Sequence, residues 1–215
     1  MRGDGLLRSS SMEAILAFGA ALVALRLSGL LAARWRRRRE PQFALWSAGL
    51  ATYALGAAAI AWGAAGGWND GVFRAYYLFG GLLTAALLGA GSLAGAGVRA
   101  AIPIVLVYAG LAAGVALAVP LEAHLGGTSI PEAQQHLALF PARMLAILGN
   151  GAGSLALVWV AVAGFRRRPL GNALLLAGFA LAAAGSAVAG LGAAQTAAFV
   201  AFAACLLYAG SVARS

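Results

Sequence analysis

The chain has no lysine, one cysteine, two histidines and six acidic residues. Each scarcity removes a class of chemistry. Without a lysine amine there is no Schiff-base attachment for retinal, so a conventional rhodopsin is excluded. Cys205 alone forms neither an intramolecular disulfide nor a Cys-x-x-Cys redox pair, and it reads as a small apolar residue packed in a helix. Haem held across a membrane needs histidines at depth on facing helices, whereas His124 and His136 both lie beside one loop. No Asp or Glu occurs between Gly71 and Leu121 or after Glu132, which removes the buried acids of proton-coupled transport. Ser92 has no histidine at its level to act as a base, so intramembrane serine proteolysis is not expected. No nucleophile, acid and base share one depth, and the chain is not expected to be an enzyme.

What the sequence does have is apolar length. Hydrophobic residues make up 62% of the chain and charged residues 10%, against roughly 45–50% and about 25% in soluble domains. Mean hydropathy is +0.88. A spanning helix takes about 20 apolar residues, and the runs predict helices over 12–33, 43–65, 75–96, 100–119, 136–165, 171–191 and 195–212. The expected architecture is all-α: a single seven-transmembrane-helix bundle over residues 1–215. Pro41 marks the first turn of the second helix, and Pro141 marks an interfacial turn or a kink in the fifth. Arg2 and Arg8 resemble the charged start of a signal peptide, but the following run is too long and ends in arginines, so it reads as the first membrane helix. Pro41-Gln42 would be the dipeptide of the PQ-loop transporters; it follows a charged loop at a helix start and is read as coincidence.

The formal charge of +9 comes from fifteen arginines. A sequence pI near 11.3 raises nucleic acid as a partner, but the arginines fall between apolar runs rather than on one soluble face, so no nucleic acid is expected. They read as a topology signal, helped by contact with anionic lipid heads. The run Arg34-Trp35-Arg36-Arg37-Arg38-Arg39 is the densest. With it on the cytoplasmic side, seven helices put Arg99, Arg166, Arg167, Arg168 and Arg214 there too, ten arginines in all. The other side keeps Arg2, Arg8, Arg74 and Arg143 and nearly all the acids. The expectation is therefore an outside N-terminus, a cytoplasmic C-terminus and a multi-pass protein of the cell inner (cytoplasmic) membrane.

Small residues carry the packing signal. Gly91 and Gly95, Gly110 and Gly114, and Gly149 and Gly153 each place two glycines on one helix face. They predict a tight bundle, with glycine-rich faces available to a protein partner or a homodimer within the lipid bilayer.

Polar residues inside the apolar runs are the candidate site. Arg26 lies eight positions before Arg34, about 12 Å deeper, and must either snorkel or pair. Arg143 and Asn150 are two helical turns apart on one face, with Ser154 a turn further. Arg74, Tyr76 and Tyr77 cluster at the start of the third helix on the same outer side as Arg143. Arg74, Tyr76, Tyr77, Arg143 and Asn150 could line an outward-facing pocket for an anionic or polar ligand. The alternative is that Asn150 and Ser154 bridge helices while the arginines and tyrosines form an interfacial belt. Glu122, His124, Glu132 and His136 lie in or beside the outer loop; their spacing matches no short zinc motif, and neither a metal nor a cofactor is expected.

Two stretches carry a resemblance: Phe73-Arg74-Ala75-Tyr76-Tyr77-Leu78-Phe79-Gly80, and Arg168-Pro169-Leu170-Gly171-Asn172-Ala173-Leu174 with Gly178 and Gly185. They are similar to stretches in uncharacterised bacterial seven-helix membrane proteins, and more distantly to the N-terminal seven-transmembrane sensor region of histidine kinases. The resemblance implies a sensor architecture over nearly the whole chain and carries over no ligand residues. The kinase-type proteins continue into a cytoplasmic signalling domain, whereas this sequence stops at Ser215 after the seventh helix. The expected function is a stand-alone membrane sensor or binding module for a small molecule or lipid, acting through a separate partner. The alternatives are an accessory subunit of a larger membrane complex, or a transporter of a neutral or lipidic solute.

Overall fold

A computed structural model describes residues 3–121, 127, 131, 136–166, 169–187, 206 and 209. Six helices run through them: α1 (Gly3–Arg38), α2 (Pro41–Gly66), α3 (Asp70–Gly95), α4 (Ala101–Ala118), α5 (Leu139–Ala163) and α6 (Pro169–Ala187). The first five contain stretches long and apolar enough to cross a membrane, and the chain is a multi-pass membrane protein by that measure. The expected seventh helix over 195–212, with Cys205 and Arg214, lies outside the described residues apart from 206 and 209.

The helix ends are set by chemistry that apolar length does not register. The arginine run is not a loop. Arg36, Arg37 and Arg38 form the last turn of α1, where cations favour the negative end of the helix dipole. Arg39, with φ of 58°, turns the chain, and only Arg39 and Glu40 separate α1 from α2. α3 starts at Asp70, five residues earlier than hydropathy indicates, because the Asn69 side chain accepts a 3.0 Å bond from the Val72 amide. In α5 the backbone leaves helical geometry at Phe140 and turns widely through Leu139–Arg143 before Met144–Ala163 runs regularly. That places the break expected at Pro141.

α3 is the hub. It packs against α2, α4 and α5, while α1 rests on α2 and α6 on α5. Midway along, Tyr77–Leu83 widens into π geometry, where the backbone ladder slips by one residue. The Gly80-Gly81 pair lies in this segment, and Gly80 meets Gly56 of α2 so closely that a Cβ on Gly56 would stand 2.9 Å from its Cα.

The glycine pairs divide into used and unused. A Cβ on Gly153 of α5 would strike the Ala85 carbonyl of α3, and one on Gly89 would strike the Gly153 backbone. Gly91, Gly95 and Gly149 are filled by Trp46, Gln42 and Tyr108. Gly110 and Gly114 have nothing within 4 Å, so that pair packs against no described element. Gly153→Val is accordingly expected to lower thermal stability in detergent by about 1–3 kcal/mol, as overpacking does. Gly114→Val should stay within about 0.5 kcal/mol of the parent; equal melting shifts for the two variants would contradict this seam.

Candidate functional site

Two polar layers occupy the bundle, and they differ in how fully they are satisfied. The mid-bundle layer is bonded throughout. The Asn150 amide of α5 donates to the Gly81 carbonyl at 2.7 Å, and the Tyr108 hydroxyl of α4 lies 3.1 Å from both the Leu82 and Leu145 carbonyls. Thr84 donates to the Phe79 carbonyl at 2.8 Å and meets Thr52 of α2 at 3.3 Å. Three helices thus supply side chains to the π segment of α3, where lipid offers no alternative partner. Further along α3, the Trp46 indole of α2 donates to the Leu88 carbonyl and to Ser92, at 3.1 and 3.3 Å.

The second layer lies at the end of the bundle away from the arginine run. Arg74 of α3 donates to the Ala116 and Leu117 carbonyls at 2.7 and 3.2 Å. These are among the last carbonyls of α4, which have no intrahelical partner, and the guanidinium also meets the negative end of that helix dipole. Around the fully buried Phe73, Tyr77 stacks at 6.1 Å and Tyr76 tilts at 6.5 Å, while His136 stands edge-on at 5.6 Å. Trp68 meets Tyr76 edge-to-face at 5.6 Å.

Three polar atoms in this layer are buried without a hydrogen-bond partner among the described residues: Tyr77 Oη, His136 Nδ1 and Trp68 Nε1. Tyr77 also bounds a cavity of about 10 Å³, together with Phe73, Arg74, Val119, Leu137 and Ala142. It has room for one water-sized group.

Of the five residues singled out from sequence, Arg74, Tyr76 and Tyr77 share this layer. Arg143 lies beside it in the opening turns of α5, next to Ala142, which bounds the cavity. Asn150 does not: it serves the mid-bundle layer, two turns along α5 from Arg143. Ser154 is partly buried and makes no side-chain hydrogen bond among the described residues. His136 and Trp68 complete the layer; the sequence placed His136 only in or beside a loop. Glu122, His124 and Glu132 lie outside the described residues. Tyr108 was not singled out, although it is the only polar side chain in α4, a signal that was there to read.

An apolar groove of about 340 Å³ opens sideways between α4 and α5, floored by α3, with Tyr108 as its polar residue. It faces the surface that lipid would occupy. No known protein family, curated protein or solved structure matches the chain.

Removing either kind of bond should be measurable. Asn150→Leu is expected to cost about 1 kcal/mol, the usual scale of a polar contact between membrane helices. Arg74→Met loses bonds from a charged donor and should cost about 1.5–3 kcal/mol. Thermal unfolding in detergent reads both, with Ser154→Ala as the neutral reference; a neutral Arg74→Met would mean that α4 ends without needing the guanidinium.

Proposed function

We propose that the protein is an integral membrane binding module of sensor type. It takes an anionic or acceptor-rich small molecule at the end opposite the arginine run and acts through a separate partner. In this reading the bundle has seven spans in a cell inner membrane, with the N-terminus outside and the arginine-rich end cytoplasmic. One observation carries the ligand class: the buried Tyr77 hydroxyl lacks a partner among the described residues, and Tyr77 and Arg74 bound the same cavity. Buried polar atoms are normally bonded, and a layer of donors with two arginines near it favours an acceptor oxygen. Asp70 is exposed at the start of α3, and the other described acids at this end, Asp4 and Glu13, fall in the opening stretch of α1. The cavity admits a single oxygen rather than a whole molecule, so a carboxylate or phosphate would insert one atom and leave the rest toward the outer surface. The reading is binding rather than catalysis, since Ser92 is engaged by Trp46 and the Leu88 carbonyl.

A panel of acetate, lactate and inorganic phosphate tests it. At one hundred times its Kd, a binding anion stabilises the fold by about 2.7 kcal/mol, raising the melting temperature. Tyr77→Phe and Arg143→Ala should lose most of that rise. A full rise in both variants would show that the anion binds elsewhere, and no rise for any anion in the parent would remove the ligand class.

Orientation is tested separately, on a chain in which Cys205 is replaced by Ala. A cysteine at Asn69 should react with an impermeant maleimide on intact cells, and one at Arg99 only after the membrane is opened. The reverse pattern would turn the protein over and put the polar layer on the cytoplasmic side.

A further inference from the structure

Arg26 is the one charged side chain within the apolar part of α1, and it stands midway along the span Ala14–Arg38. The side chains that α1 buries, including Ala17, Ala20, Ala24, Leu27 and Leu31, lie against α2. At 3.6 residues per turn, Arg26 falls on the opposite face. It is exposed, and among the described residues it makes no hydrogen bond or ion pair. α1 packs on α2 and makes no comparable contact elsewhere, so among the described residues no helix covers this face. Snorkelling moves the guanidinium toward the arginine-rich end by no more than one side-chain length, against the 12 Å or so that separate residue 26 from Arg34. A charge left at that depth is expensive.

The residues around it form a seam. Ile15, Gly19, Leu22, Arg26, Gly29 and Ala33 recur at alternating steps of four and three, the spacing by which one helix meets another in a left-handed crossing. Gly19 and Gly29 have nothing within 4 Å, which leaves space for a close backbone. A single polar residue in such a seam sets register and partner choice.

We infer that this face of α1 docks a transmembrane helix of a different protein, one that carries a carboxylate at the depth of Arg26. Charge complementarity names the partner's chemistry. A second copy of this chain does not supply it: α1 has no acid between Glu13 and Glu40, and Glu13 is thirteen residues, about 20 Å, away along the helix. The remaining spans carry no acid at mid-depth, and the chain has none after Glu132. The inference concerns a different face from the proposed ligand site and stands independently of it.

The full chain, reconstituted in vesicles, is titrated with fluorescent model peptides: a leucine-alanine transmembrane helix with lysine-flanked ends, and the same helix with one central Asp. Energy transfer from labelled protein reads association. The Asp peptide should bind about five to ten times more tightly than the apolar one, the range expected for a polar pair between membrane helices. Arg26→Leu should abolish that preference and Arg26→Lys should keep it, each with an unchanged melting temperature to show an intact fold. Moving the Asp two turns toward either end should lose it. A parent chain without preference for the Asp peptide overturns the inference, as does a preference that survives Arg26→Leu. Self-association of the parent that depends on Arg26 would also overturn it, in favour of a homomeric face.

Discussion

Hydrocarbon cannot form hydrogen bonds, and that constraint organises this molecule. Any backbone carbonyl released by a helix end or a slipped turn must find a protein donor. α3 breaks its regular ladder over Tyr77–Leu83, in the middle of a span, and it is bonded there by side chains from α4, α5 and its own Thr84. The C-terminal carbonyls of α4 are met by Arg74. These bonds also determine which helices are neighbours. Asn150 reaches Gly81 only if α5 lies along α3, and Tyr108 reaches Leu82 and Leu145 together only if α4 stands between them. The serines of α1 and α2 repeat the pattern, each donating to the other's carbonyl, at 2.8 Å for Ser28 and 2.9 Å for Ser47.

Close approach is the second requirement, because lipid tails are as apolar as leucine and provide no drive to bury one helix against another. Dispersion does the work, and it falls off within a fraction of an ångström. Hence the contacts of Gly89 with Gly153 and of Gly56 with Gly80 matter more than the many alanines. The large apolar side chains mostly point outward: Leu117, Trp62, Leu155 and Ile15 are all well exposed. Beside large buried residues such as Phe73 and Leu82 the interior holds many alanines, and many large apolar side chains face outward, unlike a soluble core.

Five of the spans were legible because apolar length and arginine breaks mark them directly. Their ends were not, since hydropathy treats arginine as a break although arginine is a good helix former and is stable in the last turn of α1. The start of α3 had a readable signal in Asn69 followed by Asp70. The π segment did not: Gly80-Gly81 states that the backbone is permissive, but the slip depends on donors more than twenty residues away. In the same way, sequence placed Arg74 and Asn150 inside the bundle, yet could not separate a ligand contact from a carbonyl cap. The distinction lies in which carbonyls come within 3 Å, a property of the packed bundle. Gly110 and Gly114 show the converse, a motif with nothing opposite it among the described residues.

The contrast between the two polar layers bears on how a binding event would be felt. The mid-bundle layer is already satisfied, so it gains nothing from a new partner. The layer around Phe73 holds buried atoms without bonds among the described residues, and an unmade bond costs on the order of 1–3 kcal/mol in an apolar setting. A ligand oxygen that met Tyr77 would recover part of that cost, and it would do so where three helices meet. Tyr77 opens the π segment, Arg74 ties α3 to the end of α4, and Arg143 lies in the irregular start of α5. The regular parts of these helices are locked by glycine contacts and interhelical bonds. Of the two wide turns, Tyr77–Leu83 is held by Tyr108, Asn150 and the Gly56–Gly80 contact, which leaves Leu139–Arg143 with more room to change its hydrogen-bond register. A ligand at this layer would therefore act where both wide turns begin, one held by interhelical bonds and the other less tied to its neighbours.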